Sequence, residues 1–203
     1  MMIVGVDLDN TLICYDGLFQ RAGVAGGILP PECPASKQGV RTWLMERDRE
    51  RDFTILQGEV YGAAIQHAPP YPGALECLRA LRKRRVSVYI VSHKTKYPVL
   101  GTQYDLHNSA RAWLSDNGFA GGDALSEKEV FLEPTLEDKA RRVAALGCTH
   151  FIDDMRSFLA HPLFPLETVG ILFSPHGEKS IDQKEHPVLP AWVDIENFLL
   201  HEC

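Results

Sequence analysis

The sequence predicts an α/β protein whose core is a doubly wound parallel sheet. Short apolar runs rich in β-branched residues alternate with amphipathic helices, and this alternation is typical of parallel sheets buried on both faces. The interval between the runs at 3–6 and 86–91 is much longer than one crossover helix requires. We therefore predict a small, mainly helical insertion at 17–70, with 1–16 and 71–203 forming the α/β core.

The insertion is predicted from its own local patterns. Ser36 is placed to cap a helix, and prolines 69 and 70 end the segment. Glycine and proline punctuate the stretch before Ser36. The predicted segments are a tight flap or hairpin at 12–19, an irregular stretch at 23–34, and helices at 36–51 and 53–67.

After the insertion the helix and strand patterns alternate regularly to the end of the chain. Apolar residues recur at helical spacing in the helices and form short continuous runs in the strands. Thr135 and Asp138 have the spacing of a helix N-cap and its partner. The predicted elements are helix 74–84, strand 86–91, helix 108–117, strand 130–132, helix 135–146, strand 151–152, strand 168–173 and helix 192–200.

Two aspartates directly follow the first strand, in the sequence Asp7-Leu8-Asp9-Asn10-Thr11. Positions i and i+2 of a strand point the same way, so Asp7 and Asp9 are expected to face one spot past its carboxyl end. Two neighbouring carboxylates repel unless a cation or a proton lies between them. Mg²⁺, which prefers oxygen ligands, is the expected cation. The alternative is an acidic surface turn.

Polar groups also follow the later strands. Ser92 follows the strand at 86–91, Asp153 and Asp154 follow the strand at 151–152, and Lys139 lies near the start of the helix at 135–146. The carboxyl ends of parallel strands share one edge of a sheet, so these groups are expected to converge there. Carboxylates, a hydroxyl and an ammonium around a cation suit an anionic tetrahedral group, above all phosphate.

These residues resemble the motifs of the haloacid dehalogenase superfamily. Residues 7–11 resemble its first motif (DxDxT), Ser92 its second, Lys139 its third and residues 151–154 its fourth. The four occur in order over nearly the whole core, and the insertion resembles the helical cap of that family. The resemblance implies a Rossmann-like core. Asp9 resembles the second aspartate of the phosphatase and phosphotransferase branch, which the dehalogenases lack.

The resemblance implies catalysis through an aspartyl-phosphate. Asp7 is expected to attack phosphorus, and Asp9 to act first as acid and then as base. Ser92 and Lys139 are expected to hold the transferring oxygens. The expected magnesium ligands are Asp7, the backbone carbonyl of Asp9, Asp153 and Asp154. The expected substrate-binding residues are Thr11, Ser92, His93 and Lys139.

Several alternatives stay open at this point. Taken singly, Ser92 fits a strand-end or cap serine and Lys139 a solvated helix lysine, with Lys128 as a rival for the role of Lys139. A phosphotransferase or phosphomutase of the same family shares the motifs. A receiver-like or catalytically silent phosphate-binding domain is a further class, which the cap and the complete motif set disfavour. A lid also favours a small phosphorylated metabolite over a macromolecular substrate.

Composition limits the remaining classes. The net charge of −6 argues against a nucleic-acid binder, and the chain has neither a membrane-length apolar run nor a leader pattern. We therefore expect a cytoplasmic protein without nucleic-acid or membrane partners, and nothing in the sequence indicates its oligomeric state. The cysteines lack metal or disulfide spacing; they are Cys14, Cys33, Cys77, Cys148 and Cys203.

Overall fold

The computed structural model describes residues 1–177 and 186–201, so Cys203 lies outside the described residues. Its described strands form one six-stranded sheet in which every neighbouring pair is parallel. The strands are β1 (Ile3–Val6), β2 (Ser87–His93), β3 (Val130–Glu133), β4 (His150–Asp153), β5 (Val169–Phe173) and β6 (Val188–Leu189). The fold is of the predicted α/β class, and β6 is a strand that the sequence patterns did not predict.

The strand order is β3-β2-β1-β4-β5-β6. The chain builds outward from β1 to β2 and β3, then crosses to the other side of β1 for β4, β5 and β6. The order thus reverses at β1, and in open α/β sheets ligands bind at the carboxyl edge beside such a switch point. That edge is where the sequence places Asp7.

Eight α-helices are described. They are α1 (Leu18–Ala25), α2 (Lys37–Met45), α3 (Glu50–Tyr61), α4 (Ala74–Lys83), α5 (Leu106–Asp116), α6 (Leu136–Ala145), α7 (Arg156–Leu159) and α8 (Trp192–His201). Helix α2 is capped by the Ser36 hydroxyl, which accepts from the Gly39 N–H at 3.0 Å. Among these described elements, no helix is long and apolar enough to cross a membrane.

Three local predictions for the insertion differ from the structure. Helix α1 occupies part of both the predicted flap and the predicted irregular stretch. Its Gly23 is not a breaker: a Cβ there would lie 2.4 Å from Leu29 Cδ1, so the glycine permits close packing. The predicted helix 36–51 is interrupted before α3 by Asp48, whose φ of 55° is incompatible with a right-handed helix. The predicted helix 53–67 ends at Tyr61 and is followed by a short 3₁₀ turn.

The chain forms two compact units. The first contains Met1–Ile13, Pro70–Lys94 and the described residues from Asn117 onward, including the whole sheet. The second contains Cys14–Pro69 and Thr95–Asp116. The predicted insertion, 17–70, overlaps the first segment of the second unit, whereas 95–116 lies within the predicted core segment 71–203. The division into core and insertion stays a prediction.

Hydrogen bonds explain why the segment Thr95–Asp116 belongs to the second unit. The Trp113 indole N–H, on α5, donates to the Ala68 carbonyl at 2.8 Å. The Tyr104 hydroxyl donates to Glu59 Oε2 at 2.9 Å, and this hydrogen bond raises the pKa of Tyr104. Trp113 is also buried. These contacts join residues about 45 positions apart, so local periodicity does not reveal them.

Candidate active site

The sheet register brings Asp7 and Asp153 to the same level of neighbouring strands. Val6 on β1 is paired with Ile152 on β4, and the Asp7 N–H donates to the Ile152 carbonyl at 2.9 Å. Asp7 follows Val6 and Asp153 follows Ile152, so both aspartates lie at the carboxyl edge of the sheet. Asp153 is fully buried, whereas the side chain of Asp7 keeps 7% of its exposure. Of the two, only Asp7 is accessible to an incoming reactant.

Lys139 lies between these two carboxylates. Its ammonium donates to Asp7 Oδ1 at 2.7 Å and to Asp153 Oδ2 at 2.6 Å, and its side chain is 2% exposed. It comes from the first turn of α6, which Thr135 caps by accepting from the Asp138 N–H at 3.0 Å. The interpretation of Lys139 as a solvated helix lysine is therefore wrong.

The charged forms of this group stabilise one another. Burial disfavours the Lys139 ammonium, but the carboxylates of Asp153 and Asp7 outweigh burial and raise the pKa of Lys139 above its ordinary value. Burial raises the pKa of Asp153, to about 6, with Lys139 acting in the opposite direction and Asp7 adding to the rise. Phe158 and Phe151 enclose the ammonium, with ring centroids at 4.2 and 5.4 Å. Lys139 is thus a fixed positive charge in a water-poor position.

Asp7, Asp153 and Asp154 form a group in which one carboxylate oxygen from each residue lies within 4.8 Å of the other two. Oxygens bound about 2.1 Å from one octahedral Mg²⁺ are at most about 4.2 Å apart, so the group needs little adjustment to hold such an ion. Asp153 Oδ1 already accepts from the Met155 N–H at 2.8 Å. An ionised carboxylate has about four acceptor positions, so this bond leaves it able to bind a cation. The carboxylate of Asp9 is not in the group.

Asp9 instead contacts a lysine that the sequence did not assign to the site. The Lys94 ammonium donates to Asp9 Oδ2 at 2.7 Å; the side chain of Lys94 is 2% exposed and that of Asp9 18%. Asp9 lies in a tight turn in which the Leu8 carbonyl accepts from the N–H groups of Leu12 and Ile13, four and five residues later. Asn10 in this turn has a φ of 56°, a conformation that asparagine tolerates.

The remaining predicted substrate-binding residues differ in their surroundings. Ser92 is buried near the carboxyl end of β2, on the same edge of the sheet as Asp7. His93 is exposed, and its Nε2 lies 3.2 Å from the carbonyl oxygen of Pro134. That contact is with backbone following β3, not with a site carboxylate.

Thr11 is fully buried. Its carbonyl accepts from the Trp192 indole N–H at 3.0 Å, and its hydroxyl has no hydrogen-bond partner among the described residues. A side chain without exposure does not meet a ligand from solvent directly. The predicted contact of Thr11 with the substrate stays a prediction.

The fold matches that of solved haloacid dehalogenase superfamily hydrolases. One is a hydrolase from Deinococcus radiodurans with bound phosphate and sodium (TM-score 0.58, 17% identity, 98% of this chain and 95% of that chain covered). Another is described as a predicted phosphoglycolate phosphatase from Haemophilus somnus (0.59, 15%, 98% of each chain). A third is an L-2-haloacid dehalogenase (0.59, 14%, 98% and 99%). No protein-family model and no curated protein matches the chain.

These similarities extend over nearly the full length of each chain, so the whole fold is shared. The chain has the Rossmann-like α/β fold of the haloacid dehalogenase-like hydrolases, as its motifs predicted. A phosphatase-like and a dehalogenase structure match equally well. The reaction therefore has to be inferred from the side chains at the carboxyl edge of the sheet.

Proposed function

We propose that the protein is a Mg²⁺-dependent hydrolase of small phosphomonoesters that works through an aspartyl-phosphate on Asp7. The observation that carries this proposal is the group formed by Asp7, Asp153, Asp154 and Lys139: three carboxylates placed to share a cation, and one ammonium bonded to two of them. A phosphate ester brings two negative charges to a site of this kind. Catalysis of phosphoryl transfer consists mainly of positioning and of neutralising that charge.

Each residue has a separate task in the proposed reaction. An Asp7 oxygen attacks phosphorus, the bond to the ester oxygen breaks, and Asp9 supplies the proton that the leaving oxygen takes up. A water molecule then gives its proton to Asp9 and attacks phosphorus, which breaks the bond to Asp7 and releases phosphate. Lys139 keeps Asp7 in place and neutralises charge, and Ser92 is proposed to donate to a transferring oxygen.

Asp7, Asp153 and Asp154, with the backbone carbonyl of Asp9, are the proposed holders of the Mg²⁺. The chemistry that the ion would supply when bound is neutralisation of the phosphate charge, in addition to that provided by Lys139. The chain's own contribution is to hold the carboxylates close together, which the strand register and Lys139 do. Removal of divalent cations with EDTA is expected to abolish turnover, and added Mg²⁺ to restore it.

Dehalogenation of a small haloacid is the second candidate, favoured by the equal fold match to a haloacid dehalogenase. In that reaction an aspartate attacks carbon and displaces halide. A clustered set of three carboxylates does not assist the displacement, because no phosphate charge has to be neutralised. The carboxylate group and Asp9 therefore favour the phosphatase.

A release assay separates the two candidates. Purified protein is incubated with a panel of small phosphate esters, and separately with 2-haloacids, in Mg²⁺ and in EDTA, and free phosphate or halide is measured. Phosphate release that requires Mg²⁺ is expected. Asp7→Asn is expected to reduce that release by at least about a thousandfold while the protein stays folded, in line with loss of a nucleophile.

A surface aspartate provides the matched control. Asp123 is paired with Arg79, and its side chain is 68% exposed, so Asp123→Asn is expected to leave turnover within twofold of wild type. Undiminished activity of Asp7→Asn would contradict the assignment of the nucleophile. Halide release without phosphate release would overturn the proposed function. Transfer of phosphate to an added alcohol would identify the phosphotransferase alternative.

A further inference from the structure

Lys94 is a second buried lysine at the carboxyl edge of the sheet. Its backbone N–H donates to the Glu133 carbonyl at 2.8 Å, which continues the pairing of β2 with β3 by one residue. Its side chain is 2% exposed, whereas that of Lys96, two positions later, is 58% exposed. The strand extension therefore carries Lys94 inward, and the loop begins after it.

Burial of the Lys94 side chain requires a compensating interaction. Removing an ammonium from water is unfavourable, and lysines are almost never fully buried unless they are paired. Asp9 Oδ2, 2.7 Å from the ammonium, is such a counterion. In turn, the contact restricts the rotation of the Asp9 side chain, which is only partly buried. The pair thus orders a carboxylate that would otherwise have more conformational freedom.

The two buried lysines have different partners. Lys139 bonds to Asp7 and Asp153, while Lys94 bonds to Asp9. The carboxylate proposed to transfer protons therefore contacts a lysine other than the one that bonds to Asp7 and Asp153. This difference matters because Asp9 is two residues from Asp7 and its backbone carbonyl is a proposed cation ligand, so an Asp9 carboxylate free to rotate would be attracted to the same cation. Lys94 provides a competing positive partner.

We propose that Lys94 is a positioning residue for Asp9: its ammonium holds Oδ2 and keeps the carboxyl group aimed at the leaving oxygen. The inference rests on the proposed function, because it concerns how Asp9 serves that reaction. Lys94 gives up no proton and forms no bond to phosphorus. Its contribution is orientation, and displacing a reacting group by about 1 Å can cost about a hundredfold in rate.

Leaving-group dependence tests this role. Phenyl phosphate releases a basic phenolate that benefits from protonation, whereas 2,4-dinitrophenyl phosphate releases a weakly basic anion that does not. The measured quantity is kcat/KM with Mg²⁺ present, since it reports steps up to release of the phenol and excludes later hydrolysis of the aspartyl-phosphate. Lys94→Met is expected to lower kcat/KM for phenyl phosphate about 10- to 100-fold, and for the dinitrophenyl ester less than threefold.

A double-mutant cycle with Asp9 shows whether Lys94 acts through Asp9. Asp9→Asn is expected to show the same preference for the dinitrophenyl ester, and adding Lys94→Met to it is expected to cause no further loss beyond twofold. Lys83 is exposed on α4, so Lys83→Met is the matched control, with both esters expected within twofold of wild type. Circular dichroism and thermal melting establish that each variant is folded.

The outcomes separate this inference from the proposed function. Equal losses on both esters, no loss on either, or a multiplicative loss in the double variant would overturn the positioning role while phosphatase activity stands. If Lys94→Met does not fold, Lys94→Gln is measured; its shorter side chain keeps a polar end, and the same selective loss is expected. A wild-type protein that hydrolyses neither ester nor any phosphate ester of the panel would refute the proposed function and this inference with it.

Discussion

Lys139→Met tests the electrostatic structure of the site without requiring a substrate. The variant keeps much of the side-chain volume but removes the ammonium that contacts Asp7 at 2.7 Å and Asp153 at 2.6 Å. Two buried carboxylates then face each other without that cation. We expect a large loss of folding stability, because breaking a buried ion pair by removing one partner leaves uncompensated charge.

The magnitude follows from opposing electrostatic contributions. At an effective dielectric constant of about 20, each Lys139 contact contributes about 6 kcal/mol of attraction. The cost of desolvating the ammonium, several kcal/mol, offsets much of this, and removal of one partner from a buried pair costs about 3–5 kcal/mol overall. For a chain of this length such a loss lowers Tm by about 6–20 °C.

Urea unfolding in EDTA, followed by circular dichroism at pH 7.5, measures this difference. Lys128→Met is the control, because Lys128 is exposed, and a surface substitution is expected to change the free energy of unfolding by less than about 0.5 kcal/mol. A loss below about 1 kcal/mol in Lys139→Met would refute the argument. Equal losses in the two variants would refute it as well.

The pH dependence of the stability difference between Lys139→Met and wild type gives an independent test of this electrostatic account. The raised pKa of Lys139 means that its contribution is fully present at neutral pH and is lost only as pH rises beyond the ordinary lysine pKa. Without Lys139, the pKa of Asp153, already raised by burial to about 6, rises further. As pH falls, protonation of Asp153 removes its uncompensated charge and so stabilises the folded variant. The stability deficit is therefore expected to be larger at pH 8 than at pH 5, and a deficit that grows on acidification would contradict this account.

Three further substitutions test other parts of the structure. Asp153→Asn is expected to weaken Mg²⁺ binding at least about tenfold in titration calorimetry; unchanged affinity would remove it from the ligand set. Gly5→Ala places a Cβ 2.4 Å from Phe151 Cδ2, and such overpacking is expected to cost about 1–3 kcal/mol in urea unfolding; an unchanged midpoint would mean that the ring moves aside freely. Thr135→Ala removes the cap bond to the Asp138 N–H and is expected to cost about 0.5–2 kcal/mol in the same assay; no loss would show that the cap is dispensable.

The sheet and the convergence of its polar strand ends were predictable because both depend on local patterns. A short apolar run followed directly by Asp7, and another followed by Asp153, indicate buried parallel strands with polar carboxyl ends. In a parallel sheet those ends share an edge, whichever strands are neighbours. For Lys139 the residues alone allowed two interpretations, since a lysine in the first turn of a helix is most often solvated.

The role of Lys94 was not predictable in the same way. The basic residues after Ser92 suit either an exposed loop or a contact with the leaving group, and Lys96 does lie exposed there. Lys94 differs because β2 pairs with β3 for one residue beyond Ser92 and His93, and because Asp9, 85 positions earlier, provides its counterion. The available signal was its position three residues after the predicted strand at 86–91. Strand length, however, is fixed by pairing and not by composition.

The topology of the sheet explains why a lysine on α6 lies between Asp7 and Asp153. Strand β3 is at one edge, and the next strand, β4, lies beyond β2 and β1, so the connection that contains α6 must cross the strand that carries Asp7. The first turn of α6 begins just after the carboxyl end of β3 and so lies at the carboxyl edge, where Lys139 reaches both carboxylates. A lysine one position later, at Ala140, would be rotated by about 100° around the helix axis, and Ala140 lies in the core. The charge arrangement of the site therefore depends on strand order as well as on the motif residues.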